Sequence, residues 1–192
     1  MPVLTHADLV MRAARWLRNT RGCSVVFTEF ACSGGEIPDA IGWQYEHSIL
    51  VECKTSRSDF SADKSKPWRR LPEIGMGLER YFMVPEGVIN AADLCGLDAR
   101  LQFERSKWGL LWVCKNHVRI VKKSDGFAGR GRVREISFLV SMLRRAGLRI
   151  GPGATLNSWL KWDQRPKPTP KLTPGELHRQ HREWLKQEVV RA

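Results

Sequence analysis

The sequence predicts an α/β fold in which a mixed central sheet is flanked by helices and followed by a basic C-terminal tail. Three observations carry this. Short β-branched and apolar runs recur at 24–30, 37–43, 48–53 and 81–84, while 5–19 and 134–146 carry apolar residues at helical spacing. With 192 residues, 42% of them hydrophobic and 27% charged, the chain has the composition of a globular domain with a real core. From Lys161 onward, Pro166, Pro168, Pro170 and Pro174 break any regular element. The expected layout is one domain over 1–150, a Pro-rich basic linker over 151–173 and an amphipathic helix over 174–192.

Each element has its local reason. Leu9, Val10, Ala13, Ala14 and Leu17 share one face of a helix over 5–19 that Thr5 can cap through the amide of Asp8, leaving an arginine-rich outer face. Ser24–Phe30 is β-branched and aromatic, which predicts a strand, and Gly34-Gly35 turns the chain. Ile37–Trp43 and Ser48–Cys53 follow as strands joined by a tight connection at Tyr45-Glu46-His47; Ile49, Leu50 and Val51 are apolar enough for the middle of a sheet. A helix begins at Ser58 and is interrupted by Pro67. Tyr81–Val84 restores a strand that Pro85-Glu86-Gly87 closes, and Leu101–Phe103 offers another. Gly109–Cys114 and His117–Val121 form a hairpin around Lys115-Asn116. Arg134–Ala146 then places Ile136, Leu139, Val140 and Leu143 on one helical stripe.

Charge narrows the partners. Thirty-two Lys and Arg against 20 Asp and Glu give a formal charge of +12 and a pI near 10.0, which favours a polyanion, with nucleic acid foremost. Five cysteines at irregular spacing, with no CxxC pair, suggest neither a zinc cluster nor a secreted disulfide framework. No run of 18 apolar residues and no signal-like N-terminus occur, so the expectation is a cytoplasmic protein without a membrane partner.

The chemistry concentrates in Ile37-Pro38-Asp39 and, thirteen residues beyond Asp39, Glu52-Cys53-Lys54 at the end of an apolar strand. Alternate side chains of a strand share a face, so Glu52 and Lys54 point one way and Cys53 the other. If the strands of Asp39 and Glu52 are neighbours, both carboxylates reach one cation. Hard carboxylate oxygens suit Mg²⁺ or Mn²⁺, and the backbone carbonyl of Cys53 could add a ligand. Lys54, a compact positive charge beside the cation, suits phosphodiester hydrolysis by orienting water and stabilising charge on phosphorus. Lys64, Lys66, Arg69 and Arg70 form a basic cluster just beyond, suited to phosphate contacts, and Trp68 between Pro67 and Arg69 is a candidate for stacking on a base. Asp59 and Asp63 read as helix-start acids, and His6, His47 and His117 as isolated histidines.

A Pro-Asp pair followed by a hydrophobic strand ending in Glu-x-Lys resembles the signature of the PD-(D/E)XK nucleases, and the order of helix, strand with Glu29, Pro38-Asp39 and Glu52-Cys53-Lys54 follows that pattern. The stretch VECKTSRSDFSADKSKPW and the strand RYFMVPEG look similar to MmcB-type DNA-repair members, although Lys66-Pro67-Trp68 departs from the expected order. The resemblance covers residues 5 to 87. It implies a restriction-endonuclease-like core, DNA as substrate, divalent metal, Asp39, Glu52 and Lys54 as catalytic residues, and Glu29 either as a further acid of the site or as a plain strand carboxylate. Dimerisation is common where both strands of a duplex are cut. The competing readings are a DNA-binding module of the same fold without catalysis, and an interaction protein whose C-terminal helix, with Leu177, Trp184, Leu185 and Val189 on one side, recruits a partner.

Overall fold

Helix α1 (His6–Asn19) starts at a reciprocal cap: the Thr5 hydroxyl accepts from the Asp8 amide, and the Asp8 carboxylate accepts from the Thr5 amide. The computed structural model describes residues 4–32, 35–95 and 106–146, without the side chain of Arg70. Residues Met1–Arg149 belong to one compact unit. The strand expected at 101–103, the linker over 151–173 and the helix over 174–192 lie outside the described residues.

Six strands form one mixed sheet in sequence order: β1 (Val25–Thr28), β2 (Ala40–Gln44), β3 (His47–Cys53), β4 (Glu79–Pro85), β5 (Gly109–Val113) and β6 (Val118–Lys122). Strands β1, β2 and β3 pair antiparallel, β3, β4 and β5 pair parallel, and β5 and β6 close antiparallel with a one-residue slip between Leu110 and Leu111. Two strands are shorter than their sequence runs. Strand β1 ends at Thr28 because Glu29 turns into the left-handed region with φ 48°, and β2 begins only at Ala40, paired with Thr28 and Val51. Ile37-Pro38-Asp39 is a lead-in, as Pro38 has no amide to give a ladder.

The parallel step from β3 to β4 needs a crossover. It is made of α2 (Arg57–Ala62), capped by Ser56, a 3-10 turn (Asp63–Ser65), α3 (Pro67–Arg70) and a second 3-10 turn (Pro72–Ile74). Lys66 is extended, as a residue before proline should be, and Pro67 occupies the first turn of α3.

The sheet is covered on both faces, so β3 is buried along nearly its whole length. One face receives α1: Leu9, Val10, Ala13, Trp16 and Leu17 pack on Ile49, Val51, Cys53, Tyr81 and Met83. The other gathers Ile41, Leu50, Phe60, Phe82, Trp108 and Leu110 around Phe138 of α4 (Arg132–Arg145). At the start of β3 and β4 a closed polar ring locks the register. Arg21 grips both oxygens of Glu79 at 2.8 Å, while His47 and the Tyr81 hydroxyl complete it at 2.7 and 2.6 Å. Burial alone would raise the Glu79 carboxyl, but these donors hold it down to about 2.

Helix α4 corrects the sequence reading. Its buried face carries Glu135 and Phe138, with Leu139 and Met142 half-buried, whereas Ile136, Val140 and Leu143 of the expected stripe are exposed. The cause is the Glu135 carboxylate, which accepts from Ser48, from the Gly77 amide and from Arg130, and so turns this side of the helix inward. Truncating Phe138 to Ala, which packs on Phe27, Phe30 and Trp43, should cost about 3–5 kcal/mol in urea unfolding. Ile136→Ala, at 61% exposure, should change stability by less than about 0.5 kcal/mol.

Candidate active site

The antiparallel register that pairs Ala40 with Val51 brings Asp39 beside Glu52 at the end of the sheet. The amide of Cys53 donates to Oδ2 of Asp39 at 2.7 Å, so the aspartate is fixed by the backbone of the strand that carries the glutamate. Glu52 lies on the face of Leu50, and the Cys53 thiol points to the α1 side, where burial pushes it well above its ordinary value. Lys54 Nζ stands 3.8 Å from Glu52 Oε2. Asp39, Glu52 and Lys54 therefore meet at one place.

Glu52 is fully buried, and a carboxylate there must be met by positive charge. Lys66 Nζ and Arg69 Nη2 approach the same Oε2 at 3.1 and 3.0 Å. Asp63, also buried, holds the three cations in place: Lys54 and Lys66 lie 3.1 Å from its Oδ1, and Arg69 binds both its oxygens. Glu36 closes the far side, accepting from Arg69 at 3.3 Å and from the Met76 amide at 2.7 Å. Three cations thus face three buried acids. The guanidinium of Arg69 rests on the Trp108 ring, 4.5 Å from its centroid. One polar atom is left over: Oε1 of Glu52 is buried and has no hydrogen-bond partner.

The electrostatics follow this division. Burial raises Asp63, but Arg69, Lys54 and Lys66 together outweigh it and hold the carboxyl well below the usual range. Glu36 is raised, because burial exceeds the help of Arg69. Burial would lower Lys66, yet Glu52 and Asp63 keep its ammonium above the ordinary value. Asp39 stands outside the balanced set. Burial first and the charge of Glu52 second push it up to about 6, against the Cys53 amide, His6 and Lys54.

On the open side of Asp39, His6 Nε2 lies 3.5 Å from its Oδ1 and 3.6 Å from Glu29 Oε1. Glu29 is more than half exposed and holds a left-handed backbone, its amide shared between the carbonyls of Pro38 and Asp39. A non-glycine residue at such φ beside a charged cluster is stored strain. His6, at the first turn of α1, ties that helix to the carboxylates.

Several sequence expectations change. Arg69, expected to reach phosphate, is 2% exposed and serves the buried net. Lys66 is one-third exposed but committed to Glu52 and Asp63, whereas Lys64 is exposed. Trp68 is half-buried with its indole N–H out of solvent, so its ring is partly committed to the protein. The Arg70 side chain lies outside the described residues. Asp63 is a central acid of the net and not a helix-start charge alone, and His6 is not isolated. Glu36 was invisible as a site residue, its only signal being an acid two residues before Pro38.

The carboxylates suit a hard cation. Among the described residues no group of three His, Cys, Asp or Glu side chains is arranged as a metal cage. Magnesium needs less, being held by one or two carboxylates with water and phosphate oxygens completing its shell. The free Oε1 of Glu52 and the Oδ1 of Asp39, not used by the Cys53 amide, are the donors on hand.

No known family model matches the chain, and no curated protein does. A solved structure of a protein of unknown function from Silicibacter pomeroyi is similar, with a TM-score of 0.50 and 24% identity over 81% of this chain and 99% of that one. At that identity the likeness speaks for the fold alone: an α/β protein with a six-stranded mixed sheet flanked by helices. Among the described residues no helix is long and apolar enough to cross a membrane.

Asp39 generates a pH prediction. An acid raised in the folded state binds more protons there than when unfolded, so its contribution to stability falls as pH rises from about 3.8 to about 6. Asp39→Asn, which keeps an acceptor for the Cys53 amide, removes that loss. Its stability relative to the unaltered protein should therefore climb across this window by up to about 3 kcal/mol and level off above it, as read from urea unfolding at a series of pH values.

Proposed function

We propose that this chain is a divalent-metal-dependent deoxyribonuclease of the PD-(D/E)XK superfamily, with a restriction-endonuclease-like core and DNA as substrate. The observation that carries the reading is the unpartnered, buried Oε1 of Glu52 beside Asp39 and Lys54, since a carboxylate oxygen kept out of solvent with no donor calls for a partner such as a bound ion. The formal charge of +12 supports a polyanionic substrate.

Asp39 Oδ1 and Glu52 Oε1 would hold Mg²⁺ or Mn²⁺, with the Cys53 carbonyl as a further oxygen. Bound there, the ion supplies Lewis acidity and lowers the pKa of a coordinated water. The Cys53 amide fixes the angle at which Asp39 presents its other oxygen, Oδ1, on the side of His6. Lys54, 3.8 Å from Glu52 and 3.1 Å from Asp63, is placed to stabilise negative charge building on a phosphoryl oxygen. Lys66 is the more exposed of the Glu52 partners. It can swing from Oε2 to an incoming phosphate, exchanging one anion for another.

One observation favours a second reading. Oε2 of Glu52 is already met by Lys66 and by the buried Arg69, which is how a fold that has lost catalysis would neutralise the residue. The same assay separates the two. Supercoiled plasmid incubated with the protein in Mg²⁺ or Mn²⁺ should be nicked, and Lys54→Ala or Glu52→Gln should slow nicking by about 100-fold or more. DNA binding without any nicking in either metal would leave a binding module.

A further inference from the structure

Helix α1 leads away from the carboxylates, and its second half borders a cavity of about 270 Å³ against the β5–β6 turn. Arg12, Arg15, Trp16 and Asn19 line it from the helix, Asn116 and His117 from the turn. Thr20 and Val118 complete the wall, so it holds two guanidiniums and several neutral donors and no carboxylate. The indole N–H of Trp16, a residue only 3% exposed, has no hydrogen-bond partner.

The two arginines differ from five others among the described residues. Arg21, Arg57, Arg69, Arg119 and Arg130 each pair with a carboxylate. Arg15 has no such partner among the described residues, and Arg12 has only the charge of Asp8 one turn earlier. Two guanidiniums one turn apart repel each other, and an anion between them removes that cost. Planar forked donors suit the paired oxygens of a phosphate.

Distance connects the cavity to the carboxylates. His6, which opens α1, lies 3.5 Å from Asp39. At the rise of a helix, Arg12 and Arg15 stand about 9 and about 14 Å farther along its axis. At about 3.4 Å per base step along one strand, that is about three to four steps. We infer that this cavity binds a backbone phosphodiester of the nucleic acid, a few nucleotides from the bond at Asp39 and Glu52, and so sets the path of the strand along α1. The assignment rests on the reading given under Proposed function.

The test measures binding of a labelled DNA duplex to the full chain in EDTA at several salt concentrations. Arg12→Gln with Arg15→Gln should lower affinity about tenfold near 0.1 M salt and reduce the slope of log K against log salt by about two, one for each lost phosphate contact. Lys123→Gln with Arg132→Gln removes the same charge from exposed positions that do not line the cavity and should leave the slope near that of the unaltered protein. An unchanged slope in the first pair, or an equal fall in both pairs, overturns the assignment. If the protein fails to cut DNA in Mg²⁺ or Mn²⁺ while only the first pair loses slope, the nuclease reading falls and the cavity stands. If DNA is cut and the first pair binds and cuts unimpaired, the cavity falls and the nuclease reading stands.

Discussion

A carboxylate inside a sheet has to be surrounded before the chain can close over it, and Glu52 dictates much of what lies at the end of β3. Removing one ion from water costs several kcal/mol even after relaxation. Lys54 follows it just past the end of β3, but the other two cations come from the crossover, which must fold back so that Lys66 and Arg69 reach Oε2. Those cations need acids of their own, so Asp63 sits among them and Glu36 reaches in from ahead of β2. Arg69 then lies on Trp108, next to β5. A single buried charge thereby links the approach to β2, the end of β3, the crossover and the far half of the sheet.

What could be read along the chain was what depends on neighbours in sequence. The alternation of Glu52, Cys53 and Lys54 follows from strand geometry, and the cap at Thr5 from a spacing of three. Pro38 marks the approach to β2, yet the apolar Ile37 drew the strand boundary too early, because a single apolar residue cannot say whether its amide finds a partner. Arg69 and Asp63 were harder. Charged residues in a polar stretch are ordinarily solvated, and only pairing with Asp63, Glu52 and Glu36, 6, 17 and 33 positions before Arg69, makes burial of the guanidinium tolerable. Helix α4 misled for the same reason, since its inward face is chosen by a glutamate whose partners lie on β3 and around Gly77.

The two ends of the central strands differ in a way that bears on function. Around Glu79 each carboxylate oxygen meets at least two donors, leaving a cluster that is complete in itself. Around Glu52 one oxygen is crowded and the other unmet. The first end holds register; the second retains unused coordinating capacity.

Tyr45 and Glu46 are all that joins β2 to β3, because Gln44 and His47 already face each other across the pair. Tyr45 is almost wholly exposed, so its side chain contributes little to the core. The number of residues is another matter: one added here would slide one strand past the other and carry Asp39 to the opposite face from Glu52. Tyr45 also holds a left-handed backbone with φ 53°, so this bend constrains both the kind of residue and the number of residues, a constraint on spacing that no inspection of the carboxylates themselves would disclose.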